Sequence, residues 1–246
     1  MRFAAIADIH GNHLALEAVL EDIRKQGITD IANLGDCFSG PLTAGKTADI
    51  LLGLDAVTVR GNHDRYLIEQ APEAMHASDS VAYAELNERH LDWLRSLPFS
   101  TFYRNEVYLC HATPADDNVY WLESVSPDGH VYLKPLEEIE ALAGGIDFPL
   151  ILCGHSHIPR AVRLSDGRLI VNPGSVGCPA YDDDLPYPHK VEAGHPFASY
   201  AVLEKQDDSW LPVFRNVAYD HRAMAELAMQ KGRAEWASGL ATGWLR

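Results

Sequence analysis

Seven polar residues sit where apolar runs stop, and their types suit divalent metals. Asp8 and His10 follow FAAIA, Asp36 follows IANLG, Asn62 follows AVTVRG, His111 follows VYLC, and His155 and His157 follow LILCG. His63 and Asp64 stand directly beside Asn62. A tight group of imidazoles cannot all be cationic without repulsion. Neutral imidazoles and ionised carboxylates are the donors that divalent transition metals take. An aspartate between two metals can bridge them, and two cations about 3.5–4 Å apart suit in-line displacement at phosphorus. The chain offers neither an activated serine or cysteine motif nor a GxxxxGK[ST] loop as a competing chemistry. The set points to a two-metal phosphoester hydrolase.

For this chemistry the strand ends must meet. RFAAIAD reads as a strand, and residues 12–27 as a helix with Leu16, Val19, Leu20 and Ile23 on one face and Gly27 as its stop. Strand DIANLGD, a helix at 44–54 and strand AVTVRGN complete a βαβαβ opening, which requires parallel strands with crossover helices. A long helix is expected at about 79–96, capped by Ser78 or Asp79, then paired strands at 99–103 and 106–111. Residues 112–134 read as a surface excursion, 135–143 as a helix, PLILCG as a strand, and 160–174 as a hairpin turning at Asp166-Gly167. Residues 172–196 read as a long loop, FASYAVLE and WLPVFRNV as strands, about 219–230 as a helix, and the rest as a patternless tail. The expected architecture is one α/β domain over 1–246, with a core over about 1–217 and a C-terminal helix and tail over 218–246. Two mixed sheets face each other with helices outside, a four-layer α/β/β/α sandwich. In open α/β sheets the carboxyl ends of the strands bind ligands, so this fold gathers the seven residues into one crevice. Gly154 is expected to let the chain turn sharply enough to aim His155 and His157 into it.

Bulk properties narrow the partners. Acidic residues outnumber basic ones by 35 to 20, a net charge of −15, which argues against nucleic-acid binding through phosphate neutralisation. A small anionic substrate is still allowed, because a metal site outweighs the global charge locally. No apolar run approaches the roughly 20 residues needed to cross a bilayer. The N-terminal run meets Asp8 too early for a signal peptide, so a cytoplasmic location is expected. Cys37, Cys110, Cys153 and Cys178 form no CxxC pair and read as reduced, buried thiols.

The ordered series DIHGN (8–12), GD (35–36), GNHD (61–64), HATP (111–114) and GHSH (154–157) resembles the motifs of the calcineurin-like metallophosphoesterases. NPGSVG (172–177) is similar to their small bacterial and archaeal, phosphodiesterase-like branch. The resemblance implies that Asp8, His10 and His157 hold one metal, that Asn62, His111 and His155 hold a second, and that Asp36 bridges both. It further implies attack on phosphorus by a metal-bridging hydroxide, with Asn62 stabilising the developing charge. His63 would contact the phosphoryl group or protonate the leaving oxygen, its ring oriented by Asp64. Mixed nitrogen and oxygen ligands accept manganese, iron, zinc, cobalt or nickel.

Other residues keep two readings each. Asp64 also suits a helix cap, Arg60 a salt bridge or a phosphate contact, and Asn12 a helix cap or a substrate contact. Asn172 suits hydrogen-bonded support of the site. Tyr120 and Trp121, like Tyr181 and Tyr187, suit a hydrophobic lid or oligomer contact, with stacking on a substrate base as the other reading. The function expected is a phosphodiesterase on small soluble substrates such as nucleotides. The alternatives are a phosphomonoesterase, including a protein phosphatase, and a non-catalytic scaffold like one trafficking subunit of this fold. A homo-oligomer is compatible with the sequence.

Overall fold

The computed structural model describes all 246 residues. The chain runs β1 (Arg2–Ile6), α1 (His13–Lys25), β2 (Ile31–Asn33), α2 (Ala44–Leu52), β3 (Ala56–Thr58), α3 (Asn62–Glu69), α4 (Ala77–Glu85) and α5 (Glu88–Ser96). It continues with β4 (Ser100–Tyr103), β5 (Val107–Cys110), β6 (Glu123–Val125), β7 (Val131–Leu133), α6 (Leu136–Leu142), β8 (Leu150–Leu152), β9 (Arg160–Arg163) and β10 (Leu169–Asn172). The last elements are β11 (Ala180–Asp183), β12 (His189–Glu192), β13 (Ala198–Gln206), β14 (Ser209–Val217), α7 (His221–Gln230) and α8 (Ala234–Thr242).

Two five-stranded mixed sheets form, ordered β14-β13-β1-β2-β3 and β4-β5-β8-β10-β9. In the first, β1, β2 and β3 are parallel and β13 is antiparallel to β1. In the second, β5, β8 and β10 are parallel, and β4 and β9 are antiparallel edges. Side-chain alternation along each strand builds the layers. Phe3, Ala5 and Ala7 meet Leu109, Leu150, Leu152 and Val171 between the sheets. Ala4 and Ile6 point the other way, onto Leu16, Val19 and Ile23 of α1. Ile151 and Ile170 face outward from the second sheet onto Ile139 and Ala143 at α6. Burying each such large side chain stabilises by roughly 1.5–3 kcal/mol.

Four local expectations change. The helix expected over 79–96 is two helices, because Leu86 and Asn87 are extended and the Asn87 side chain caps α5 by accepting from His90 N–H. Residues 112–134 contain the β6–β7 hairpin, and the loop at 172–196 contains the β11–β12 hairpin. Their three- and four-residue strands, among them ESV and AYDD, lack the apolar alternation that marks a strand in sequence. The tail holds α8, whose Ala237 and Leu240 pack with Met224, Ala225 and Ala228 of α7 and with Leu42. Gly239 inside α8 weakens its sequence signal.

Candidate metal centre

The strand ends converge at one side of the sandwich. Asp8, His10, Asp36, His155 and His157 all have positive φ, between 51° and 70°. Each such conformation costs a non-glycine residue on the order of 1–2 kcal/mol and persists only where surroundings over-determine it. Here the N–H groups of Ile9 and His10 both donate to the Asp36 carbonyl, at 2.9 and 3.0 Å, and His155 N–H donates to Asp8 Oδ2 at 3.1 Å. Gly154 works differently from the expectation. Its φ is not positive; a Cβ there would stand 3.0 Å from both Ala7 Cβ and Asp8 Oδ2, so its role is close approach.

Two groups of buried or half-buried donors result, Asp8–His10–His157 and Asp36–His111–His155, each with ligand atoms within 4.8 Å of one another. Asp36 Oδ2 of the second group, 3.3 Å from His111 Nε2, also lies 4.0 Å from His10 Nε2 of the first. Asn62 borders the second group, with Oδ1 3.0 Å from His111 Nε2.

Backbone carbonyls set the imidazole tautomers. The Nδ1–H groups of His10, His111 and His157 donate to the carbonyls of Ser39, Leu34 and Cys178, each at 2.8 Å. The Nε2 atoms of His10 and His157 therefore face inward as acceptors, whereas His111 Nε2 faces the oxygens of Asn62 and Asp36. Burial lowers the His111 pKa, but the Asp36 charge overcomes it and raises it to about 10. His10 Nε2 and His157 Nε2 stand 3.1 Å apart, two lone pairs directed at one another. A cation bound to both removes that repulsion, so the donor set fits a metal. Burial lowers the pKa of His10 and of His155 to about 4 and that of His157 well below the usual range, keeping all three neutral. Burial, with the Asp36 charge adding to it, pushes Asp8 up to about 8. Burial also opposes ionisation of Asp36, but the facing His111 and His63 draw it well below the carboxylate range. Two crowded carboxylates of opposite tendency are what a dication would relieve.

Asp64 does not orient His63. Its carboxylate accepts from the N–H groups of Asp36, Cys37 and Gly61 at 2.9–3.1 Å, locking the GD and GNHD turns together. The partner of His63 is Asp79 of α4, with Nδ1 donating to Oδ1 at 2.8 Å. Burial lowers the His63 pKa, but the Asp36 charge and the Asp79 hydrogen bond overcome it and raise it to about 9. No motif flags Asp79, which stands 16 residues from His63 in the chain.

Asn12, Arg60 and Trp121 do not reach the cleft. Asn12 is fully buried, accepts from Ala15 N–H as the α1 cap and donates to the Gly177 carbonyl and Tyr219 hydroxyl. Arg60 lies 3.8 Å from Glu69 in an ion pair. Trp121 is packed beneath the second sheet and donates to the Ile139 carbonyl. Tyr120 does line the cleft, and its hydroxyl bonds Tyr181 at 2.6 Å and His189 Nε2 at 2.9 Å. The Tyr120 ring lies 5.1 Å from that of His155, and the Tyr181 ring 4.6 Å from that of His157. Asn172 supports the GHSH turn by donating to the Gly154 carbonyl at 2.8 Å. All four cysteines are free and buried.

Residues 1–204 match the sequence model of the calcineurin-like phosphoesterase superfamily domain. The chain belongs to that family. As a member it is a metal-dependent hydrolase of phosphoesters, and the two donor groups are its candidate metal sites. The uncharacterized protein MJ0912 of Methanocaldococcus jannaschii is 28% identical over 247 residues, covering 95% of this chain and 94% of that one. The crystal structure of a metallophosphoesterase from Sphaerobacter thermophilus superposes with a TM-score of 0.75 at 25% identity, covering 99% of each chain. No helix of this family member is long and apolar enough to cross a membrane.

Proposed function

We propose that the chain is a dinuclear phosphodiesterase acting on small phosphorylated substrates such as nucleotides. The observation that carries this reading is that Asp36, a member of one donor triad, brings Oδ2 to 3.3 Å from His111 Nε2 and to 4.0 Å from His10 Nε2 of the other triad. Asp8, His10 and His157 would hold one divalent ion; Asn62, His111 and His155 would hold the other, with Asp36 shared. Bound cations would supply a nucleophile from water at neutral pH and Lewis acidity toward the phosphoryl oxygens.

The chain's own residues do the rest. Asp79 accepts the His63 Nδ1–H, which leaves Nε2 free at the cleft to protonate the departing ester oxygen. The Asp79 hydrogen bond and charge favour the protonated His63 ring. Asn62 stands beside His111, where its amide can meet charge developing on a phosphoryl oxygen. The N–H of His63 in the first turn of α3 donates to Asp36 Oδ1 at 3.0 Å and favours its ionised form. The cleft, about 1250 Å³, is walled by Tyr66, Tyr120, Tyr181 and Trp236, which offer flat apolar faces to a base or aryl group. Asp182, Asp183 and Asp184 also line it, which disfavours highly charged phosphate chains and acidic protein surfaces.

The test is turnover of bis-aryl against mono-aryl phosphates after chelation and reloading with manganese, iron, zinc, cobalt or nickel. A diester preference is expected. A monoester preference replaces the reading with a phosphatase, and no turnover with any metal favours a scaffold.

A further inference from the structure

Two cationic side chains of lysine or arginine line the cleft, Lys134 and Arg233. Lys134 Nζ is committed to the Tyr120 carbonyl. Arg233 is committed on one side only. Its Nε donates to Glu235 Oε1 at 2.5 Å, while Nη1 is buried and has no partner. A buried guanidinium N–H left unpaired is disfavoured, and it calls for a function. Arg233 stands at the head of α8, beyond residue 204 where the family match ends.

A second unpartnered donor lies on the same flank. The Ser39 hydroxyl is buried without a partner and also lines the cleft. The Ser39 carbonyl holds His10, and the Cys178 carbonyl holds His157. Cys178, like Arg233, lines the cleft. Trp236, one turn after Arg233, lies so close to Gly40 that a Cβ there would come within 3.1 Å of the indole, and its ring is edge-on to His10 at 6.0 Å. The start of α8 and the Ser39–Gly40 turn are thus neighbours beside the Asp8–His10–His157 triad. The other unpartnered polar atom in the cleft, Glu123 Oε2, belongs to an anion already paired with Arg160 and offers no donor.

We propose that Arg233 Nη1, with the Ser39 hydroxyl, binds a phosphoryl oxygen of the substrate on the flank of the first triad. The site is an anion-binding edge supplied by the C-terminal helix pair. Glu235 fixes the guanidinium through Nε, and because Nη1 is closed to solvent in this structure, binding requires a small rotation of the side chain toward the cleft that Arg233 and Ser39 line. A planar guanidinium matches phosphate geometry, and it places one local positive group in a chain whose net charge is −15. The proposal rests on the phosphoester-hydrolase reading.

The test uses the full metal-loaded chain, with inorganic phosphate binding read by calorimetry and aryl phosphoester kinetics beside it. Arg233→Met keeps the apolar stem; phosphate affinity should fall about tenfold or more, with the loss of kcat/KM mainly in KM. Arg233→Lys should recover part of it. Ser39→Ala should weaken phosphate roughly two- to fivefold. Glu235→Gln removes a competing anion and should strengthen phosphate binding, whereas a purely structural Arg233–Glu235 pair requires it to weaken. If Arg233→Met folds poorly by circular dichroism, the Glu235→Gln direction still decides. Unchanged phosphate affinity and KM in Arg233→Met, or weakening in Glu235→Gln, overturns the proposal. A wild-type chain that neither binds phosphate nor hydrolyses any phosphoester overturns the hydrolase reading and this site with it; a working wild type with indifferent variants overturns this site alone.

Discussion

The floor of the cleft and its wall are held by different means. On the floor, Asp8, His10, Asp36, His155 and His157 sit in left-handed backbone at strand ends, and their rings or carboxylates are anchored to main-chain groups. On the wall, Tyr120, in the loop before β6, bonds through its hydroxyl to the side chains of Tyr181 and His189 on the β11–β12 hairpin, and Arg233 leans on Glu235 two residues away. Main-chain anchors move only if the sheets move. Side-chain anchors change with a single substitution. On the proposed reading, this division would give the floor a fixed ion geometry and leave the wall adjustable to a substrate.

The harshest way to test this contrast is Asp36→Asn. On the proposed shared role of Asp36, loss of its carboxylate should lower kcat/KM by more than about 100-fold, beyond the scale of losing a partner of a ligand. Retained turnover with both ions bound would break the assignment. Next come His155→Ala and His157→Ala. Each should lower the bound metal from about two equivalents to about one, as the two-ion arrangement requires, with the remaining ion in a different position. Elemental analysis after dialysis, with spectra of a cobalt-loaded sample, reads both results; identical spectra for the two variants would refute separate roles.

Asp79→Asn probes the seam between floor and wall. His63 is raised to about 9, so its proton is present at neutral pH and is lost as pH rises through that value. Without the Asp79 charge the pKa falls, and the basic limb of kcat/KM against pH should move to lower pH by about one unit or more. Bound cations that neutralise Asp36 lower both limbs but leave their separation. An unmoved limb would remove His63 from the role of general acid.

The smallest effect lies far from both regions. Burial raises the pKa of Asp22, but the Arg215 hydrogen bond, larger than that, and the Tyr200 hydroxyl bond hold it below the ordinary value. The linked stability is present above the unfolded carboxylate pKa of about 3.9 and is lost as pH falls through the lower folded value. Asp22→Asn should cost about 1 kcal/mol at neutral pH. Its melting-temperature gap to the wild type should narrow in acid. Metal content should stay unchanged; a loss of metal would mean that the floor is less independent of its surroundings than its main-chain anchors imply.

Legibility in the sequence followed the same division. The floor residues stand directly after apolar runs, so strand periodicity and motif order are enough to direct all seven to one crevice. The wall left no such trace. Asp79 reaches His63 across 16 residues and a change of helix, and its type alone reads as a cap. Tyr181 lies in a four-residue strand with two aspartates. Arg233 precedes a helix weakened by an internal glycine.

From the order of residue types alone came the family resemblance, the two-sheet α/β architecture and the strand-end donor set. Those features follow from local periodicity and from the rule that strand ends gather in one crevice. Only the tertiary structure decided that Asp64 braces backbone while Asp79 holds His63, that Asn12, Arg60 and Trp121 are turned away from the cleft, and that α8 closes one side of it. Each of these depends on contacts between segments distant in sequence, and such contacts are set by packing, which no local pattern encodes.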